Sequence, residues 1–336
     1  MKDTLRWAYG LNQWNFRLDV FVRHEDHRRA LQTLAATGFD AVELPSGTGR
    51  WDNIARPEVI LANHGSAENF LAFLREAGVN QVSSVFWDPS APAEEEEGYA
   101  FRFARNPADS DAIVEWSRPL VDFTAAVGAD QLVVRPAHSA WMGPPLAPEE
   151  YAVLGELWNR IGRRAADAGI GLAIHYDCLG AVHTEEDLER LLDATDPALV
   201  GFALDTAELT IGGIDPAAFY EAHADRVTHV HLKDTRYRDA GEEYRMPGAE
   251  STMLKGGAGR RIERWFYELG TEGGLVDVPA FVAALRAHEY RGWVVVESDH
   301  GGDPAELAML NSWYLQHELG IPKTDDSTTS REGASA

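Results

Sequence analysis

The sequence predicts an α/β fold of the (β/α)8 TIM-barrel class, and three observations predict it. Short apolar runs alternate with longer segments of helical period along the whole 336-residue chain. About eight such units occur in strict alternation, which implies parallel strands joined by crossover helices. Titratable residues gather at the carboxyl ends of the apolar runs, where an α/β barrel keeps its chemistry. An open doubly wound sheet competes with this reading, but it usually announces itself by a glycine-rich turn after the first strand. Here that turn reads LNQWNF, with no glycine.

Taken in order, LRWAYGLN (5–12) reads as the first strand, followed by the helix HEDHRRALQTLAAT (24–37), with Gly38 placed to cap its C-terminus. FDAVEL (39–44) is the second strand. ENFLAFLREAG (68–78) spaces its apolar residues three and four apart and again ends in glycine; VSSVFW (82–87) follows as the third strand. A helical stretch over 111–127 leads through Gly128 to QLVVR (131–135). The helix 148–168 leads to GLAIHYD (171–177), EEDLERLLDA (185–194) to VGFALD (200–205), and PAAFYEAHA (216–224) to VTHVHLKD (227–234). VPAFVAALRAHE (278–289) precedes the eighth strand, WVVVES (293–298), and a helix over 304–318 completes the fold.

Residues 1–322 therefore read as one barrel domain with insertions at 88–108 and 234–276. Both follow strands, so both fall on the face that carries chemistry. The end of the chain, KTDDSTTSREGASA (323–336), is too poor in large apolar groups to bury itself and reads as a disordered tail.

Lysine and arginine total 30 against 54 aspartate and glutamate, a net charge of −24. Such a surface repels phosphate backbones and anionic membranes. It argues against nucleic-acid and membrane partners and for a small, neutral or weakly charged substrate. Much of the excess charge also serves solubility. The single cysteine, Cys178, rules out an internal disulfide. No cleavable leader is evident, and no stretch approaches the roughly 20 apolar residues of a membrane span. The expectation is a cytoplasmic protein.

The strand ends supply the candidate site. The second strand gives Glu43; the fourth gives Arg135 with His138 beyond; the fifth gives His175 and Asp177. Asp205 ends the sixth, with Glu208 beyond it. His229, His231 and Lys233 line the seventh, and Glu297 and Asp299 close the eighth. Period two sorts these residues. Asp205 shares its face with Ala203 and Gly201, His231 with His229 and Lys233, Glu297 with Val295 and Trp293, and His175 with Ala173. Small residues inside and bulky ones outside leave room for a ligand. Two imidazoles and two carboxylates converging on one axis, His175, Asp205, His231 and Glu297, make a mixed nitrogen–oxygen site. It suits one divalent ion: Mn²⁺, Co²⁺, Fe²⁺ or Zn²⁺, with Mg²⁺ less favoured by imidazole. Other readings stay open. Asp205 would also serve as a helix N-cap, His229 as a core histidine or a substrate contact, and Asp177 in place of His175. Glu297 as a lone core carboxylate is disfavoured, because burying an unpaired charge is costly.

Three segments, LDTAELTIGGIDP (204–216), RVTHVHLKD (226–234) and GWVVVESD (292–299), resemble the xylose-isomerase-like barrels of sugar isomerases, epimerases and inosose dehydratases. The resemblance spans most of the chain and is strongest over 171–300. It implies a single divalent metal at the ends of the fifth to eighth strands, held by Asp205, His231, Glu297 and a fifth-strand group; Mn²⁺ is the expected ion. Two departures bear on mechanism. The ketose epimerases have glutamate where this chain has His175. The D-x-x-H pattern of many members reads Asp205-Thr206-Ala207-Glu208 here.

A metal that grips a carbonyl and an adjacent hydroxyl acidifies the C–H between them. Epimerisation needs a proton carrier on each face of that carbon, and replacing one glutamate by His175 weakens that option. β-Elimination needs one base and an acid for the leaving group. Glu297, His138, Glu208 and Glu43 are the candidates for these roles, with Asn12, Arg135, Asp177, His229, Lys233 and Asp299 as substrate contacts. The expected function is a lyase on a keto-sugar or keto-cyclitol, of inosose-dehydratase or C-glycoside-deglycosidase type, with a sugar isomerase or epimerase as the alternative. For the second type, the aromatic insertion RRIERWFYELG (260–270) would meet an aglycone. A homo-oligomer or a complex with a small second subunit is expected.

Overall fold

In a computed structural model that describes residues 5–14, 24–46, 56–89, 103–249, 265–299 and 302–321, eight parallel strands close a barrel in sequence order. They are β1 (Arg6–Gly10), β2 (Ala41–Ser46), β3 (Gln81–Trp87), β4 (Gln131–Val134), β5 (Gly171–His175), β6 (Gly201–Asp205), β7 (Val227–Leu232) and β8 (Trp293–Val296). The helices are α1 (His24–Thr37), α2 (Pro57–His64), α3 (Ala67–Glu76), α4 (Ser110–Ala126), α5 (Pro148–Asp167), α6 (Glu185–Ala194), α7 (Thr206–Ile211), α8 (Pro216–His223), α9 (Val278–Ala287) and α10 (Pro304–His317). The expected tail over 323–336, and residues 90–102 and 250–264 of the two insertions, lie outside the described residues.

Local chemistry explains where the helices start and stop. The Ser66 hydroxyl accepts from Asn69 N to cap α3, and Thr184 and Asp187 form a reciprocal capping box at α6. Pro57, Pro148, Pro216 and Pro304 open their helices at the first position, where a missing N–H costs nothing. Gly38 and Gly78 follow α1 and α3 at φ of 98° and 96°, a conformation that suits glycine. In α5 the buried stripe Tyr151, Leu154, Trp158, Ile161 and Ala165 recurs at three- and four-residue steps and faces the barrel. Helix α2 was not foreseen: its eight residues bury only Ile60, so it carries little periodic signal.

The strands sort as period two requires. Val42, Leu44, Phe202, Leu204, Val230, Val294 and Val296 face the helices in the main core. Inside the barrel, Ala8, Ala41, Trp293 and Val295 form one cluster, and Val133, Ala173 and Ala203 with Phe86 another. The Arg6 guanidinium lies 3.9 Å over the Trp293 ring, and Trp293 Nε1 donates to Asp130 at 3.0 Å, closing the floor. Above the small alanines the interior opens toward the carboxyl ends.

Two register irregularities tune this interior. Pairing of β2 with β3 skips Ser83 between Val42↔Val82 and Glu43↔Ser84. Pairing of β6 with β7 skips Thr228 between Phe202↔Val227 and Ala203↔His229. Bulges of this kind re-aim side chains beside active sites. The second strand also starts and ends two residues later than expected, at 41–46 instead of 39–44, so Glu43 sits within the strand and not near its tip.

Candidate active site

Four side chains meet at the mouth of the barrel. Asp205 ends β6 and caps α7, its Oδ1 accepting from Ala207 N and Glu208 N at 3.0 Å each. Its Oδ2 is thereby turned inward, 3.3 Å from His175 Nε2 and 3.7 Å from His231 Nδ1. Glu297, just past β8, brings Oε2 to 3.5 Å from the same His231 Nδ1. His175, Asp205, His231 and Glu297 are all at most 4% exposed. His231 Nδ1 has no hydrogen-bond partner although it is buried. Ligands about 2.1 Å from one ion stand roughly 3.0–3.5 Å from one another. His175, Asp205 and His231 bring ligand atoms within 4.8 Å of one another, so with the orphaned ring nitrogen they fit a single divalent metal, and Glu297 stands 3.5 Å from His231 as the fourth candidate ligand.

Lys233 reaches the same place from β7. Its Nζ lies 2.9 Å from Asp205 Oδ2, 2.7 Å from Glu297 Oε2 and 2.6 Å from Asp299 Oδ2. Thr206 fixes the exit of β7, accepting from Lys233 N at 2.9 Å and donating to Lys233 O at 2.7 Å. Burial works to lower the Lys233 amine, but Asp205, Asp299 and Glu297 outweigh it and hold the amine well above the ordinary lysine range. Burial likewise opposes the charge on His231, and Glu297 and Glu43 outweigh it, raising the imidazole. The Asp205 carboxyl resists burial through Lys233 and His175 and stays well below its usual value. Glu208 goes the other way: burial, with Asp177 and Asp205 alongside, pushes it up to about 8. Burial also pushes Glu297 up to about 8, against the pull of His231 and Lys233.

Most of these groups line one small cavity at the mouth of the barrel, with Asp205 just behind its wall. Asn12, Glu43, His175, Asp177, Glu208, His231, Lys233, Glu297 and Asp299 furnish its polar wall; Leu11, Pro45, Phe86 and Phe266 its apolar one. Asn12 arrives on the turn after β1 and donates to Glu297 Oε1 at 3.2 Å. Phe266 comes from the second insertion and lies 4.7 Å from Lys233 Nζ. Glu208 accepts from Cys178 N at 2.8 Å.

Four of the expected site residues are not part of the cavity wall: Asp205 sits just behind it beside His175, and three others stand further back. Arg135 is buried behind Asp177, pairing with it at 2.7 Å and with Asp88 at 3.3 Å, so it aims Asp177 and does not itself line the wall. His229 lies deeper in the barrel, 3.0 Å from Glu43. His138 packs its ring 4.9 Å from Phe103 in the loop after β4 and is not brought to the cavity. Phe86 and Phe266 were not singled out individually from the sequence. Phe86 alternates in phase with Ser84 on β3, and that phase was the available signal.

Comparison with known proteins agrees with this architecture. The chain is 28% identical over 295 residues to an inosose dehydratase of Bacillus velezensis, covering 81% of this chain and 95% of the relative. A probable 3-DHS dehydratase involved in petrobactin synthesis in Bacillus anthracis shares the fold at TM-score 0.67 and 12% identity, over 93% of this chain and 99% of that one. A D-allulose 3-epimerase from Methylomonas sp. does so at TM-score 0.64 and 18% identity, over 93% and 96%. The family model for the xylose isomerase-like TIM barrel matches residues 31–313, and with its closed barrel and its clustered strand-end residues the chain belongs to that family.

Proposed function

We propose that the chain is a divalent-metal-dependent lyase that removes a proton next to the carbonyl of a keto-sugar or keto-cyclitol and expels the group at the β position. The observation that carries this reading is the cluster of His175, Asp205 and His231, with Glu297 3.5 Å from His231, beside one cavity whose wall also holds Glu208 and Lys233. When bound there, a metal supplies Lewis-acid polarisation of the substrate carbonyl; Mn²⁺ suits the two imidazoles and two carboxylates.

The chain's own groups do the rest. Glu297, which a divalent ion bound beside it would keep ionised, takes the α-proton on its carboxylate. Glu208, a second cavity carboxyl set in the first turn of α7, returns a proton to the leaving oxygen or carbon as the β bond breaks. Lys233, held by Asp299, places a fixed positive charge beside the developing enolate oxygen. Asn12 and Asp177 offer hydrogen bonds to substrate hydroxyls, and Phe86 and Phe266 cover the apolar side. The likeness to an inosose dehydratase supports water as one leaving group. Phe266 on the cavity wall supports room for an aromatic one.

The test is proton exchange and product release in D₂O, followed by NMR, with Mn²⁺-loaded protein and two substrates: an inosose and a 3-keto-glucoside bearing an aromatic C-aglycone. Loss of the α-proton together with release of water or aglycone is the expected result. Deuterium uptake with an inverted or relocated carbonyl, and nothing expelled, would replace the lyase with an isomerase or epimerase.

A further inference from the structure

We infer that Glu43 is a positioning residue: its carboxylate orients His231 so that Nδ1 faces Asp205 and Glu297. The inference rests on the metal reading proposed above.

Three donors converge on Glu43. His231 Nε2 lies 3.0 Å from Oε1 and 3.1 Å from Oε2; His229 Nε2 lies 3.0 Å from Oε2; the Ser84 hydroxyl donates to Oε2 at 2.6 Å. Glu43, Ser84, His229 and His231 are at most 3% exposed. A carboxylate has about four lone-pair directions, and here most point at protein donors instead of the cavity. Its place within β2 makes this possible, because a residue at the strand tip would stand too high to reach His229.

The bulges complete the arrangement. Skipping Ser83 brings Ser84 opposite Glu43, while the Ser83 hydroxyl donates to Val42 O at 3.1 Å and touches Ser84 Oγ at 2.9 Å. Skipping Thr228 brings His229 and His231 into the interior phase beside them. Two separate departures from ideal pairing thus serve one contact. An imidazole ligand left to itself rotates and exchanges its two nitrogens. One whose far N–H is held by a carboxylate presents a single nitrogen in a single direction, and losing such a partner typically weakens metal binding by about 10- to 100-fold.

The experiment measures Mn²⁺ dissociation constants for the full chain and for Glu43→Gln and Ser84→Ala, by competition against a fluorescent chelator. The melting temperature of each metal-free protein is measured alongside. Glutamine offers one acceptor and turns its amide N–H₂ toward another donor, so Glu43→Gln should weaken Mn²⁺ by about 10- to 100-fold. Ser84→Ala keeps the carboxylate but frees one tether, and should weaken binding less. A carboxylate that only stabilised the fold would lower the melting temperature of the metal-free variants and leave the Mn²⁺ constant at its wild-type value; that pattern overturns the inference. If Glu43→Gln does not fold, Ser84→Ala decides: weakened binding supports the role, unchanged binding overturns it. Wild-type protein that binds no Mn²⁺ would overturn the metal reading itself, a result distinct from tight binding by wild type and variant alike.

Discussion

Asp205 uses its two oxygens for two tasks. Oδ1 satisfies the first free N–H groups of α7, and Oδ2 faces His175, His231 and Lys233. From the sequence, helix cap and metal ligand looked like competing explanations of this residue; a carboxylate is large enough to be both. The two tasks separate under Asp205→Asn. Asparagine caps helices about as well as aspartate, so the variant should fold with its helix content intact. It removes the charge from the proposed ligand, so Mn²⁺ affinity should fall by at least about 100-fold, beyond the loss seen when an outer partner is removed. Circular dichroism and a chelator-competition titration check the two halves. Wild-type affinity in a folded variant would leave Asp205 as a cap alone. Lys233 shows the limit of reading such residues from sequence. Period two gave its direction, but its contact with Asp205, Glu297 and Asp299 depends on how far each of three strands extends, which no local pattern encodes.

At the level of elements, most strands and helices were legible because apolar periodicity is strong where one face is buried. α2 was missed because it buries one side chain, and the start of β2 was misplaced because Phe39 continues the apolar run without pairing. The bulges at Ser83 and Thr228 were invisible for the same reason: a skipped residue alters register without altering composition. The end of β1 shows how tightly an element can bound the site. A Cβ on Gly10 would stand 2.5 Å from Glu297 Oε1 and 2.7 Å from Glu297 Cγ. Gly10→Ala must therefore push Glu297 aside, and Mn²⁺ affinity should drop by about 10-fold or more, as when a ligand loses its support; unchanged affinity would show that Glu297 is not needed where it stands. The second insertion is latched to the barrel by Asp234, which accepts from Thr235 N at 2.8 Å and Val276 N at 3.3 Å, while Asp234 O accepts from Tyr267 N at 2.9 Å. Burial pushes the Asp234 carboxyl up to about 6, against those backbone donors. The folded state thus holds this proton between about pH 4 and pH 6 while the unfolded chain has released it. Its contribution is full below about pH 4 and is lost as pH rises through about 6. Asp234→Asn, neutral throughout, should remove that part of the slope. Urea midpoints of the metal-free proteins at pH 4, 5, 6 and 7 (chosen to bracket about 6) check it, and parallel curves would refute the assignment.

For the molecule as a whole, the excess of acid reaches into the cavity. The chain carries −24, and its cavity gathers Glu43, Asp177, Glu208, Glu297 and Asp299 around a single lysine among the described lining residues. Such crowding leaves the folded state with a standing demand for positive charge, which Lys233 meets in part. A divalent ion that binds this cluster and not the unfolded chain stabilises the fold by mass action, about 2.7 kcal/mol at a hundredfold excess over its dissociation constant. For a barrel of this size that is a rise in melting temperature of roughly 4 °C. Weak binding by the 54 acidic side chains of the unfolded chain reduces the gain but does not reverse it. The metals should also rank. Two imidazoles among the four donors favour Mn²⁺ over Mg²⁺, which prefers oxygen and holds its water. Melting curves in chelator, in Mg²⁺ and in Mn²⁺ at equal ionic strength should therefore rise in that order. Equal shifts from the two ions would point to general screening of an acidic surface. No shift in either, with metal analysis showing none retained, would mean that Lys233 alone satisfies the cluster and that the cavity works without a metal.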